Sequence, residues 1–290
     1  MGKVLSRDGT TIAFDRSGHG PPLVLVTGAL SDRSSWMGLP AFLESRFTVF
    51  VYDRRGRGVS GDTLPYAVAR EVEDLEALVA EAGGTAGVFG VSSGAALALE
   101  AAARGVAFSR LALFEPPYRV DESAPRPPAD LWTKVAQLTS SGRPGDAVEY
   151  FMTQAVGLPS EAVARMRNAP MWPGLEALAH TLLRDFEIMG DGSFPADRAA
   201  SVALPTLVIG SEGSAPWLHQ AVRAVGNALP NAETRFLAGQ FHSIPPETLA
   251  PALEEFFGGG DLNRTTPSRQ ADSRADASSK SEGSDQPSRR

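Results

Sequence analysis

Gly90-Val91-Ser92-Ser93-Gly94 sets a serine between two glycines, at the junction of an apolar run (Ala86 to Val91) and an Ala/Leu-rich run (Ala95 to Ala103). Strand, G-x-S-x-G, helix is the setting in which a serine hydroxyl projects from a sharp, strained turn and acts as a nucleophile. So tight a turn leaves no room for a Cβ on either flank, which accounts for glycine at 90 and 94. Ala95 and Ala96 let the following helix lie close to the strand, so its free N–H groups and positive dipole end face charge developing on a substrate oxygen. A serine also needs a base, and the chain has four histidines: His19, His180, His219 and His242. His19 falls in a Gly/Pro turn, and His180 and His219 fall within helical stretches. His242 follows a strand, on a short Gly-Gln-Phe loop before Pro245-Pro246, where its ring is available to take a proton from Ser92 and return it to a leaving group.

The elements that must position these groups alternate along the first 115 residues. Strands are expected at Thr10 to Asp15, Pro22 to Val26, Phe47 to Tyr52, Ala86 to Val91 and Leu111 to Phe114, with helices over Arg70 to Glu81 and after Ser92. Continuous Val/Leu-rich strands separated by helices indicate a parallel sheet covered on both faces. From 128 to 188 the pattern is helical only: Ala129 to Leu138, Gly145 to Val156, Ser160 to Met166 and Leu175 to Ile188, separated by Pro and Gly signals. The sheet pattern resumes with Pro205 to Ile209, a helix over Leu218 to Ala228, the strand Glu233 to Leu237 and a last helix over Glu247 to Phe257. The organisation expected is a core over 1–117 and 200–257, with a helical cap inserted at 118–199 over the strand ends, where open α/β sheets bind ligands.

Composition narrows the function further. With 42% hydrophobic residues in 290, the chain can build one large domain or a domain with an insertion. Residues 258–290 hold one leucine and no aromatic, too little to offset the entropy of ordering, and are expected to be a disordered tail. Six basic against five acidic residues give the tail +1, which leaves −8 of the total −7 on the body. Neither part has the clustered basic face of a nucleic-acid surface. The absence of cysteine excludes disulfides, thiolate catalysis and cysteine-based metal sites, and leaves the cytosol as the default compartment. No apolar run approaches the roughly 20 residues that span a bilayer, and no charged n-region precedes a long apolar stretch. Met1 to Ser6 matches the myristoylation pattern, and the same residues read as a first strand.

The residues Thr10 to Asp15, Leu23 to Leu30 ending in Thr27-Gly28, and Tyr52-Asp53-Arg54-Arg55-Gly56-Arg57-Gly58 stand in a distinctive order. With the serine turn, Pro205 to Gly210 and Gly239-Gln240-Phe241-His242, they make the chain resemble an α/β-hydrolase with a helical cap, over roughly residues 3–257. The resemblance implies the chain order nucleophile, acid, histidine, which Ser92 and His242 fit. It also implies an acid three residues beyond Gly210, where this sequence has Gly213. Two carboxylates are candidates in its place. Glu115 ends the sixth strand before Pro116-Pro117, a position that certain haloalkane dehalogenases of this fold use, and it is the first choice. Glu212, one position early on the usual loop, is the second. By the same resemblance the oxyanion is held by the N–H of Ser93 and of Ala29, with Thr27 where the family often has histidine.

The activity expected is that of a cofactor-free serine hydrolase acting on a small or medium ester, thioester or lactone, with a small-molecule substrate as partner, no nucleic acid or membrane partner, and the oligomeric state left open. Serine at 92 stands where hydrolases of this fold that attack halides or epoxides carry aspartate, which argues against those two activities. Same-fold alternatives are a C–C bond hydrolase or a lyase or cyclase of a secondary metabolite. A non-catalytic small-ligand-binding protein is an alternative of a different class, motivated by the missing aspartate. Gly56-Arg57-Gly58-Val59-Ser60-Gly61 matches the dinucleotide pattern G-x-G-x-x-G, yet Asp62 to Pro65 intervenes before any helix, so no nicotinamide or flavin site is expected. The insertion's large apolar residues (Trp132, Tyr150, Phe151, Met152, Met171, Trp172 and Phe186) are expected mainly to form its own core. Trp36, Trp217 and Phe241, read as loop residues beside the site, are the candidates for contacting substrate.

Overall fold

In the computed structural model, which describes residues 1–36 and 38–259, the Val/Leu runs pair as the alternation requires. The eight strands are β1 (Gly2–Leu5), β2 (Thr11–Gly18), β3 (Pro22–Val26), β4 (Thr48–Tyr52), β5 (Ala86–Val91), β6 (Phe108–Phe114), β7 (Thr206–Ser211) and β8 (Ala232–Leu237). They form one sheet in the order β1-β2-β4-β3-β5-β6-β7-β8. β1 and β2 join antiparallel at one edge, and the other six strands run parallel.

The helices are α1 (Leu39–Leu43), α2 (Val68–Glu81), α3 (Ser93–Ala103), α4 (Leu131–Ser140), α5 (Pro144–Gln154), α6 (Ser160–Arg167), α7 (Trp172–Leu178), α8 (Leu182–Met189), α9 (Ala196–Ala200), α10 (Pro216–Ala228) and α11 (Pro246–Gly258). Both faces of the sheet are buried, and β3 illustrates how its sequence divides between them. Side chains alternate across a strand, so Val24 and Val26 join the core beneath α2 and α3. Leu23 and Leu25 join the opposite core, which includes residues of α1 and α11. Helices α4 to α9 fall between β6 and β7, and α4, α5, α6, α7 and α8 share an apolar core of their own containing Val135, Val148, Val163, Trp172 and Leu182.

Several boundaries differ from the sequence expectation, for local reasons. The stretch Leu175 to Ile188, expected as one helix, is two: α7 and α8 are separated by a 3-10 turn at Ala179–Thr181. α1 has five residues and α9 five, too short to show a helical period, and neither is evident from the sequence pattern. α10 begins at Pro216, which sits comfortably in a first helical turn, so Trp217 is helical rather than a loop residue. Gly258 closes α11, and the expected tail from 260 onward lies outside the described residues.

Register carries this architecture to the site. Val26 pairs with Gly90, Val91 with Phe114, and Phe114 with Ile209. Thr27, Ser92 and Glu115, the residues that follow three neighbouring strands, therefore leave the sheet at the same edge. The Ser92 N–H donates to the Phe114 carbonyl at 2.9 Å, and the Glu115 N–H to the Ile209 carbonyl at 3.0 Å, extending the ladder one residue past each strand. Close packing of α3 on β5 depends on Gly90, where an added Cβ would lie 2.6 Å from the Gly94 carbonyl oxygen and 2.7 Å from the Ala95 Cα. Because both neighbours are backbone, Gly90→Ala is expected to destabilise the fold by about 1–3 kcal/mol, as overpacking does. Urea denaturation checks this; an unchanged midpoint would show that α3 can move away from the sheet at little cost.

Candidate active site

Ser92 sits at φ 58°, ψ −125°, a strained conformation for a residue with a side chain, directly between β5 and α3. The close approaches are as tight as the glycine spacing demands. A Cβ on Gly94 would lie 2.4 Å from the Thr27 carbonyl oxygen, and one on Gly28 would lie 3.0 Å from the Ser92 Cβ. The Thr27–Ser31 loop is thereby pressed against the serine. The first N–H groups of a helix have no partner within it. Neither the Ser93 N–H at the start of α3 nor the Ala29 N–H finds an acceptor among the described residues.

His242 follows β8 on the turn Gly239 to Ser243, with φ 52°. Its N–H donates to Ser214 Oγ at 2.9 Å, and its ring stacks on Phe114 with centroids 5.6 Å apart. Its Nδ1 lies 2.7 Å from Glu115 Oε2. Glu115 is fully buried, itself at φ 42°, and its other oxygen accepts the Ser211 N–H at 2.8 Å. A carboxylate can only accept, so Nδ1 must carry the proton and Nε2 is left as the basic nitrogen. Glu212, the second candidate, is exposed and is not the carboxylate at the imidazole. Position 213 has no room for a side chain: a Cβ there would lie 2.5 Å from the Gly239 carbonyl oxygen and 2.9 Å from the Gln240 Cα. The other histidines are engaged elsewhere or exposed. His180 Nε2 bonds the Gly56 carbonyl at 2.9 Å, His219 Nε2 bonds the Ser211 carbonyl at 2.8 Å, and His19 lies at the surface.

Beside the serine lies a cavity of about 180 Å³, walled by Gly28, Trp36, Phe89, Phe114, His242 and Leu249 among others. Trp36 lines it; Trp217 does not, and Phe241 is exposed, its ring 6.2 Å from that of His242. No group of three or more His, Asp or Glu side chains suited to a metal ion occurs among the described residues, and no helix among them is long and apolar enough to cross a membrane.

A buried charge network, not legible in the sequence, lies next to the site. Arg54 bonds Glu71 through two parallel contacts of 2.7 and 2.8 Å, and also Asp185 at 2.8 Å. Arg57 bonds both oxygens of Asp185, at 3.0 and 2.8 Å. Ser93 Oγ donates to Asp185 at 2.7 Å. Arg57 donates in addition to the Gly28 and Ser31 carbonyls, and Arg54 to the Thr27 carbonyl at 3.2 Å. All four charged side chains are almost wholly buried. Burial works against ionisation of Asp185 and Glu71, but the adjacent guanidiniums outweigh it and hold both carboxyls below their usual range. Burial and the like charge of Arg54 pull Arg57 down from the ordinary arginine value, far above neutrality.

A sequence profile of the alpha/beta hydrolase family matches residues 23–253, so the chain belongs to that family, and by that membership it is a hydrolase. Among solved structures it is similar to an alpha/beta hydrolase from Sphaerobacter thermophilus, with 53% identity, a TM-score of 0.86, and coverage of 88% of this chain and 100% of that one. An N-formylmaleamic acid deformylase from Pseudomonas putida shares the fold at 23% identity and a TM-score of 0.62, covering 87% of this chain and 98% of that one. The curated N-formylmaleamate deformylase of Pseudomonas putida is 36% identical over 104 residues, 34% of this chain and 39% of that protein. The match therefore spans about two-fifths of the length of that relative.

Glu115→Gln is expected to lower kcat by up to about 10⁴, because loss of the carboxylate from such a histidine pair misplaces the ring proton, whereas Glu212→Gln leaves kcat within about 2-fold. Steady-state kinetics on p-nitrophenyl acetate separate the two, and the reverse ranking would assign the acid to Glu212. Asp185 and Glu71 have folded-state pKa values below their unfolded ones, near 4. Their contribution is therefore complete above about pH 5 and is lost as pH falls through 4 and below. Urea unfolding between pH 6 and pH 3 is expected to show falling stability; a flat or rising profile would mean that the network does not couple to folding.

Proposed function

We propose that the protein is a cofactor-free serine hydrolase that cleaves small carboxylic esters, thioesters or lactones through Ser92, His242 and Glu115, with the helices over 118–199 acting as a cap. The observation that carries this reading is the 2.7 Å bond between Glu115 Oε2 and His242 Nδ1, made by a carboxylate with no solvent exposure. That bond leaves His242 Nε2 as a base on the edge of the sheet where Ser92 emerges. Nε2 takes the Ser92 hydroxyl proton as Oγ attacks the carbonyl carbon. The carbonyl electron pair moves onto oxygen, which the N–H groups of Ser93 and Ala29 stabilise. Collapse breaks the bond to the leaving group, which receives the proton from Nε2. Water, deprotonated by the same nitrogen, then attacks the acyl-enzyme and restores Ser92.

The cavity supports a short, neutral acyl or alcohol group. Its walls carry no Asp, Glu, Lys or Arg side chain, and about 180 Å³ is close to the roughly 150 Å³ that holds one benzene. A second reading, hydrolysis of a short N-acyl amide, is favoured by the match to a relative named as a deformylase. A fluorophosphonate probe is expected to label the folded protein, and Ser92→Ala to abolish labelling. Absence of labelling in the wild type would overturn the reading of Ser92 as the nucleophile. On p-nitrophenyl esters kcat/KM is expected to peak at two to four acyl carbons, and a rise toward eight to ten carbons would sink the small-substrate reading. An N-formyl amide in the same panel tests the second one.

A further inference from the structure

The two N–H groups assigned to the oxyanion belong to segments that are far apart in sequence, and one side chain from a third segment is tied to both, to one directly and to the other through Arg57. Asp185 lies on α8, in the helical insertion. Directly, its Oδ1 accepts from Ser93 Oγ at 2.7 Å, which fixes the first residue of α3. Indirectly, both its oxygens hold Arg57, whose other terminal nitrogen donates to the Gly28 carbonyl. The Gly28 C=O and the Ala29 N–H are parts of one planar trans peptide, so a bond that fixes the first aims the second. The same cation polarises that peptide and strengthens Ala29 as a donor. Arg54, also bonded to Asp185, fixes the preceding peptide through the Thr27 carbonyl at 3.2 Å. The next residue of the loop, Leu30 at φ 52°, is buried in the insertion's apolar core, which also includes Val148 and Leu182. The loop is thus gripped by the insertion through charge and through packing.

We infer that Asp185 is a positioning residue for the oxyanion hole, so that the helical insertion assembles the stabilising donors as well as bounding the site; this rests on the serine-hydrolase reading above. Asp185 touches no reacting atom. Its effect falls on the transition state, where the oxygen carries charge, rather than on the bound ester.

The test uses the full chain, with active sites counted by fluorophosphonate titration. Asp185→Asn is expected to lower kcat per titrated site by about 10²-fold, the scale of losing one oxyanion donor, with KM within 2-fold. Affinity for a trifluoromethyl ketone, which forms a tetrahedral oxyanion on the serine, should fall in the same proportion. Ser93→Ala removes only the hydroxyl bond to Asp185, keeps every charge and the backbone donor, and is expected to lower kcat and ketone affinity together by about 10-fold, as a lost hydrogen bond to a charged group does. Because both variants act on one bond, their combination should cost less than the product of the two. If Asp185→Asn fails to fold, Ser93→Ala decides alone. Unchanged kcat and ketone affinity per site, or a rise in KM with kcat intact, would overturn the inference. A wild-type protein silent to both ester and probe would overturn the serine-hydrolase reading itself, and this inference with it.

Discussion

Four buried charges, Arg54, Arg57, Glu71 and Asp185, underlie the arrangement of the whole site. Each ion loses several kcal/mol of hydration on burial, and a buried pair often gains no more stability than a well-packed apolar one. What such a network supplies is direction. Every acceptor oxygen and nearly every guanidinium nitrogen has a partner at a defined angle, and three of those partners are carbonyls of the Thr27–Ser31 loop. Apolar packing could not aim a peptide N–H in this way, because dispersion is nearly indifferent to orientation. The loop has to be aimed from outside, since it forms no ladder of its own at the sheet edge.

A second constraint is the space between β7 and β8. The backbone at Gly239 and Gln240 passes so near Gly213 that no side chain fits there. His242 is consequently held close to the sheet, by Ser214 on one side and the Phe114 ring on the other. A carboxylate reaching it must come from beneath, off the end of β6, and Glu115 does so without exposing either oxygen to solvent. The unusual φ at Ser92, Glu115 and His242 belongs to the same economy of space: each leaves a strand or turn abruptly enough to point its side chain back over the sheet edge.

The sheet was legible because its signal is local. β3 and β5 begin and end where their apolar runs do, and Gly90 and Gly94 announce the turn between β5 and α3. Ser92 and His242 stood out as candidates by residue type and by their places after strand ends, and Glu115 was singled out through the resemblance to the hydrolase family; the structure brings Glu115 and His242 together. The short helices α1 and α9 did not stand out, having under two turns in which to display a period. The break between α7 and α8 left no proline or glycine at the 3-10 turn to mark it. The charge network was invisible for a different reason: Arg54 and Asp185 are 131 positions apart, and nothing in a run of residues such as Leu182-Leu183-Arg184-Asp185 indicates which cation its carboxylate will meet. Gly56-Arg57-Gly58, which superficially suggested a nucleotide loop, provides one of those cations.

Leu30 ties the core and the insertion together in a way that bears on how such chains diversify. Its side chain is built into the apolar interior of the helices between β6 and β7, although its backbone belongs to the loop after β3. Those helices are consequently not an interchangeable module. A recombinant that acquired another family member's insertion would have to inherit a pocket for this leucine and an acid at the place of Asp185, or the loop would be released at both ends. Substitutions on the solvent-facing sides of α4, α5 and α6 leave both of these ties untouched, whereas a change on the side facing the loop disturbs them.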